Sequence, residues 1–440
     1  MARERRASIL LCASLLALAA SHAGAATLDS VLAPLDGLVP ELERTYQDLH
    51  RTPELSQREV TTARKMAEKL RALGFDVTTG VGSTGVVGLL RNGAGPIVML
   101  RTDMDALPVE EKTGLPYASR VVAKNDAGES VPVMHACGHD IHMTCWVGTA
   151  TLLARARDRW RGTLMMVAQP AEETGAGARG MLAAGLFTRF PKPTFAVAIH
   201  DNADLPAGQV SYTPGFSLAN VDSVDISVFG VGGHGAYPHT TIDPVVIASR
   251  IVLSLQTIVS RENNPLDPAV VTVGSIHGGT KHNIVPDEVK LQLTVRSYKP
   301  EVRERLLAAI SRIARAEAAA AGAPREPAVT ITDGTPATYN DPDLTVRVVD
   351  AIRRRLGDAN VHEQPPVMGG EDFSEYSRAG VPSVMFWVGA VEPGKFSSAK
   401  AGGERLPSLH SPFFAPDVPR TIRTGVVAET AAMLELLGKP

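Results

Sequence analysis

Residues 163–173 read TLMMVAQPAEE. Residues 163–168 form a short, unbroken apolar run, and Gln169-Pro170-Ala171-Glu172-Glu173 follows at once. A run of this length without alternation is the signature of a strand buried on both faces. Adjacent carboxylates on a surface helix are ordinary, but two of them directly behind such a strand are not. The pattern recurs. Residues 96–101 (PIVMLR) run into the acidic loop Asp103-Met104-Asp105, residues 194–199 (TFAVAI) end at His200, and residues 383–388 (SVMFWV) form a fourth apolar run. Helical patterns lie around them, over residues 38–51, 56–73, 143–156 and 420–437. Alternation of this kind predicts an α/β domain with a mostly parallel sheet flanked by helices. Open sheets of that class bind ligands just past the C-terminal ends of their strands, where these polar residues gather.

The middle of the chain reads differently. Residues 221–229 alternate like a half-exposed strand, residues 243–260 form an amphipathic helix, and residues 270–276 and 288–298 form a strand pair. A helix over 301–321 and a strand over 328–332 close the series. The order β-α-β-β-α-β is the split-βαβ, ferredoxin-like α+β arrangement. It is expected as an insertion over residues 219–333 within the α/β domain, which would comprise residues 27–218 and 334–440.

Residues 1–26 have the composition of an export leader. Arg3, Arg5 and Arg6 precede an apolar run over 9–20 that is too short to span a bilayer, and Ala23-Gly24-Ala25 offers small residues for cleavage. The expected mature protein is soluble and exported, periplasmic or secreted, with no membrane segment. A formal net charge of −3 with dispersed basic residues leaves no footprint for nucleic acid or an anionic membrane. Past the leader only Cys137 and Cys145 remain, which is no disulfide framework.

Both cysteines fall in MHACGHDIHMTC, residues 134–145. A disulfide between them is disfavoured, since eight helical positions separate them by about 10 Å or more. Cys145 reads as a small buried apolar residue. A cysteine nucleophile would need an imidazole base and an orienting partner, and no oxyanion hole is legible. The metal reading gains from the rest of the chain. Cys137-x-His139 offers a thiolate and an imidazole at a helix N-terminus, and Glu172-Glu173, His200 and His410 (in Leu409-His410-Ser411-Pro412) add oxygen and nitrogen donors. Such a mixed set suits zinc, manganese or cobalt. His135, Asp140 and His142 read as supporting or packing residues.

Seven motifs occur in order: Arg101-Thr-Asp-Met-Asp-Ala-Leu-Pro108, His135-Ala-Cys-Gly-His-Asp140, Gln169-Pro-Ala-Glu-Glu173, Gly232-Gly-His-Gly-Ala-Tyr-Pro-His239, Asn283-Ile-Val-Pro286, Gly369-Gly-Glu-Asp-Phe373 and Leu409-His-Ser-Pro412. Together they resemble the aminoacylase and carboxypeptidase family of two-metal amidohydrolases. Within it they resemble the branch of hippurate hydrolase, N-acyl-amino-acid amidohydrolases and indole-acetyl-amino-acid hydrolases.

The resemblance implies Cys137, His139, Glu173, His200 and His410 as ligands of two divalent ions, with Glu172 as the general base. It implies an orienting role for Asp103, and it leaves Glu371 and Asp372 without one. Carboxypeptidases of the wider family carry a ligand histidine where this chain has Arg101, which would move ligation to the Cys-x-His loop. His234, Asn283 and Arg296 are implied as substrate-binding residues, with His234 acting across a homodimer or higher homo-oligomer built through the inserted lid domain. The implied substrate is a small N-acyl-amino acid, or a short peptide if the activity is that of a carboxypeptidase or dipeptidase.

Overall fold

The computed structural model describes residues 27–439, so the leader expected over residues 1–26 lies outside the described residues. The chain first forms helices α1 (Leu35–Arg51) and α2 (Val60–Ala72), then strands β1 (Asp76–Val81), β2 (Gly85–Asn92) and β3 (Ile97–Asp103). Helix α3 (His139–Arg155) and strands β4 (Gly162–Gln169), β5 (Phe195–Pro206) and β6 (Val210–Tyr212) follow. The middle holds β7 (Asn220–Phe229), α4 (Pro244–Thr257), β8 (Ala269–Gly278), β9 (Glu288–Ser297), α5 (Pro300–Ala320) and β10 (Ala328–Asp333). Last come α6 (Pro342–Leu356), β11 (Val361–Glu363), β12 (Ser383–Val391) and α7 (Val418–Leu436).

Two compact units result. The larger takes the chain up to Gly215 with Asn340–Gln364 and the stretch from Tyr376 onward; the smaller takes Phe216–Tyr339 and Pro365–Glu375. The larger unit is built on an eight-stranded sheet ordered β1-β2-β4-β3-β5-β12-β6-β11. Its four central strands, β4, β3, β5 and β12, are parallel, with antiparallel pairs towards the β1 edge. Strands covered on both faces can be apolar throughout, and β3 is buried from Val98 to Asp103. Helix α3 is buried all the way from His139 to Leu153. Helix α7 crosses it at Gly425, where a Cβ would collide with the Cys145 sulfur. Cys145 is therefore a packing residue, and both Cys137 and Cys145 are free thiols.

From β3 the chain moves to one side of the sheet for β4 and to the other for β5. That reversal opens a crevice beyond the C-terminal ends of these strands, the place where open α/β sheets take ligands. Two local expectations are corrected here. The second helix starts at Val60 rather than at residue 56, because Gln57 takes a left-handed backbone and the Glu54 carboxylate accepts the amides of Thr61 and Thr62. The strand expected to end at His200 runs on to Pro206, since Asp201 and Asn202 keep pairing with Val388 and Gly389 of β12.

The smaller unit carries the four-stranded antiparallel sheet β8-β9-β7-β10. In chain order that is 2-3-1-4, the ferredoxin-like topology. Alternation in β9 sends Val289, Leu291, Leu293 and Val295 inward against α4 and α5. Residues 365–375 cluster with this unit, not with the larger one; Leu218 bridges to Val367, and Arg296 reaches the Met368 carbonyl. With its continuation to Glu262, α4 is long and apolar enough to cross a membrane, at a mean hydropathy of 1.2. Its inner face, Ile247, Ile251, Leu255 and Ile258, belongs to the unit's core, whereas Leu253 on the outer face is 71% exposed.

Candidate metal centre

The chemistry of the larger unit collects at the switch point. Strand β3 ends at Asp103 and its loop brings Asp105; β4 ends at Gln169 and its loop brings Glu172 and Glu173; β5 carries His200. Cys137 and His139 enter at the N-terminus of α3. Between them Gly138 has φ 74°, and a Cβ there would run into the Asp201 carboxylate, so this turn requires glycine. His410, itself left-handed at φ 65°, is fixed by its amide to the Ala136 carbonyl at 2.8 Å.

The donor atoms of Cys137, His139 and His200 lie within 4.8 Å of one another, as do those of Cys137, Glu173 and His410 and those of His139, Glu172 and Glu173. Cys137 Sγ is 3.6 Å from His200 Nε2 and 3.2 Å from His410 Nε2. His139 Nε2 is 3.8 Å from Glu173 Oε1 and 3.9 Å from Glu172 Oε2. Five donors and the adjacent Glu172 thus converge from four separate segments.

Two of the imidazoles are oriented by their other nitrogen. His139 Nδ1 donates to the Asp105 carbonyl and His200 Nδ1 to the Asp201 carbonyl, both at 2.8 Å. That leaves the Nε2 lone pairs facing the cluster, the tautomer a metal ligand needs. His142 lies behind, with Nδ1 2.7 Å from Asp103 Oδ1 and Nε2 3.1 Å from Asp201 Oδ1. Arg101 Nη1 donates to the other Asp103 oxygen at 2.7 Å and Nε to Gln169 Oε1 at 3.0 Å.

Burial sets the electrostatics. It pushes Glu173 up to about 7, against the pull of His139, and raises the Cys137 thiol well above its ordinary range. At Asp103 burial is outweighed by His139, His142 and Arg101, which hold the carboxyl well below the ordinary range. His142 is pushed down by burial but carried up to about 9 by Asp103 and Asp201. His139 Nε2 and Glu173 Oε1 are buried without any hydrogen-bond partner. Unsatisfied buried donors and acceptors are costly, and here both belong to the converging set. The residues present fit a cation: orphaned atoms, lone pairs turned inward, and nitrogen, oxygen and sulfur donors together.

Residues 99–406 match the peptidase family M20/M25/M40. The chain belongs to that family. It is 38% identical over 345 residues to thermostable carboxypeptidase 2 of Saccharolobus solfataricus, covering 78% of this chain and 84% of that protein. It is 36% identical over 346 residues to N-acetylcysteine deacetylase of Bacillus subtilis, covering 78% and 86%. Among solved structures, the YxeP protein of Bacillus subtilis, a dinuclear metal-binding peptidase of the M20 family, superposes with a TM-score of 0.73 at 30% identity over 91% of this chain and all of that one. The M20 membership confirms the expected α/β fold, and with it a metal-dependent hydrolase of amide or peptide bonds.

The remaining site residues expected of this M20 chain lie in the smaller unit. His234 and Asn283 meet there, His234 pairing with Ile284 and Gly235 donating to the Asn283 carbonyl at 2.9 Å. Both are exposed. Arg296, on β9, is half-buried and donates from Nε to Thr294 Oγ1 at 3.1 Å. Glu371 and Asp372 are buried in turns, where Glu371 Oε1 accepts the Phe373 amide. In the sequence Asp105 stands out only as part of the acidic loop, and Asp201 is not singled out. Each sits beside or just past the end of an apolar run, a signal that could have found them.

Proposed function

We propose that the protein hydrolyses the amide between an acyl group and an amino acid bearing a free α-carboxylate. The observation that carries this reading is the convergence of Cys137, His139, Glu173, His200 and His410 beside Glu172. The donor groups overlap at Cys137, His139 and Glu173, which suits two neighbouring ions of zinc, manganese or cobalt. Two divalent cations held there supply polarisation of the scissile carbonyl and a lowered pKa for the attacking water. Glu172 takes the proton of that water and returns it to the departing amine nitrogen. Glu173 holds the neighbouring position on the same loop, so base and ligand are placed by one backbone segment.

The deacetylase among the relatives supports an N-acyl-amino acid; the carboxypeptidase supports a second reading, a peptide bond at a free C-terminus. Both need a group for the α-carboxylate, and a guanidinium such as Arg296 suits it bidentately. His234 and Asn283 complete the substrate-binding set of this proposal. A homodimer through the smaller unit is part of it as well, supported by the exposed outer face of α4 and by β8, an open sheet edge. The leader-like residues 1–26 support export to the periplasm or medium.

Glu172→Ala is expected to lower kcat by about 10²- to 10⁴-fold with cation content unchanged. Near-normal turnover in that variant would remove Glu172 from the mechanism. Hippurate and N-acetyl amino acids assayed against dipeptides and longer peptides separate the two substrate readings.

A further inference from the structure

Among the described residues, four other than glycine have left-handed backbones: Gln57, Ser83, Ala171 and His410. A residue with a Cβ persists there only where its surroundings hold it. Three of the four gather around a single buried side chain, Glu59. Its Oε1 accepts the amide of Gln57 at 2.8 Å and the amide of Ala171 at 2.9 Å. Its Oε2 accepts the hydroxyl of Thr84, the neighbour of Ser83, at 2.7 Å.

Ala171 is the residue from which the chain turns into Glu172 and Glu173. The next two amides are held in the same way: Glu172 N–H donates to Asp105 Oδ1 and Glu173 N–H to Asp105 Oδ2, each at 3.1 Å. Ser56 Oγ in turn donates to Asp105 Oδ2 at 2.6 Å. Three successive amides are thus pinned by two buried carboxylates, and residues 54–59 reach both of them.

Glu59 immediately precedes α2, which suggests an ordinary helix cap. The structure excludes that role, since its side chain makes no capping bond and Glu54 serves the first-turn amides of Thr61 and Thr62 instead. The Glu59 carboxylate is spent on the turns alone.

We infer that Glu59 is a positioning residue that fixes the left-handed turn at Ala171 and so places Glu172 and Glu173 for the reaction. The inference rests on the proposed roles of that pair. Glutamine at this position keeps an oxygen for both amides and donates to Thr84 instead of accepting from it. Leucine keeps the volume and removes every acceptor.

The test compares full-length Glu59→Leu, Glu59→Gln and Thr84→Val, assayed well below their Tm. Glu59→Leu is expected to lose kcat for an N-acyl-amino acid about 10- to 100-fold with KM within about threefold, and to release zinc to a competing chelator about 10- to 100-fold more readily. Glu59→Gln should retain both properties, and Thr84→Val should lower Tm while moving neither. Wild-type kcat and zinc retention in Glu59→Leu would overturn the inference, as would a Thr84→Val variant with the same losses. Should the leucine variant not fold, Glu59→Asp, which withdraws the oxygens by one methylene, replaces it: wild-type behaviour there overturns the proposal and a graded loss supports it. Zinc retention is read without substrate. It therefore judges Glu59 even if Glu172→Ala shows the catalytic reading to be wrong.

Discussion

The two largest sheets among the described residues handle polar residues in opposite ways. In the central strands of the larger unit the side chains are apolar on both faces until polar and charged groups are buried, Arg101, Asp103 and Gln169 at or near strand ends and Asp201 midway along β5, all at or near 0% exposure. In β9 of the smaller unit the alternation is kept along the whole strand, with Lys290 and Gln292 outward and Leu291 and Leu293 inward. A sheet covered on both faces has no solvent side for its polar residues, so those that remain must be paired or bind an ion. A sheet with one open face disperses them at little cost. The first arrangement builds chemistry; the second builds a surface.

That contrast can be broken at its strongest point by removing the shared thiolate. Cys137→Ala is expected to weaken retention of at least one cation by more than the roughly 10- to 100-fold seen when only an orienting neighbour is lost. Chelator competition followed by elemental analysis measures it, and unchanged stoichiometry and affinity would take Cys137 out of the donor set.

A smaller effect is expected at Glu429, a buried acid in α7 that accepts the Thr149 hydroxyl at 2.7 Å and has no partner for its other oxygen. Burial raises its pKa to about 8, only partly offset by that bond and by His142. The folded protein therefore keeps this proton up to about pH 8, while the unfolded chain releases it near 4.5. Between those values the folded state binds more protons, so stability falls as pH rises and levels off above about 8. The loss is on the order of a few kcal/mol over that window. Glu429→Gln should flatten it, read as urea midpoints at pH 5 and pH 8. A parallel pH dependence in both proteins would show that another group is responsible.

The smallest folding effect belongs to the open face of the smaller unit. Leu253→Glu should change stability by less than about 0.5 kcal/mol, because the side chain is largely exposed and outside the unit's core. The same change should convert the proposed dimer to monomer in sedimentation. A variant that remained dimeric would place the interface elsewhere.

Much of this was readable beforehand, for physical reasons. Buried parallel strands are written as apolar runs, so 96–101, 163–168, 194–199 and 383–388 were legible one by one, and the polar residues behind them marked the site. The 3.6- and 2-residue periods likewise exposed the ferredoxin-like insertion. What local pattern could not carry was anything set by a distant partner. Residues 56–59 look helical, yet Ser56 and Glu59 are held by Asp105, Thr84 and Ala171, which come later in the chain. Strand β5 continues past His200 because β12, nearly two hundred residues on, supplies its ladder. Residues 365–375 join the smaller unit through pairing with Leu218 and Arg296, which no periodicity announces.

Sequence by itself determined the kinds of donor this protein brings to its centre and the strand ends that carry them, because residue chemistry and hydrophobic period are local properties. Tertiary structure alone decided which nitrogen of His139 and His200 faces inward, that Asp103 and Asp201 grip His142, and that Glu59 holds the turn before Glu172. Those are matters of angle and distance between segments far apart in the chain, and a carboxylate twelve positions or a hundred from its partner looks the same in sequence.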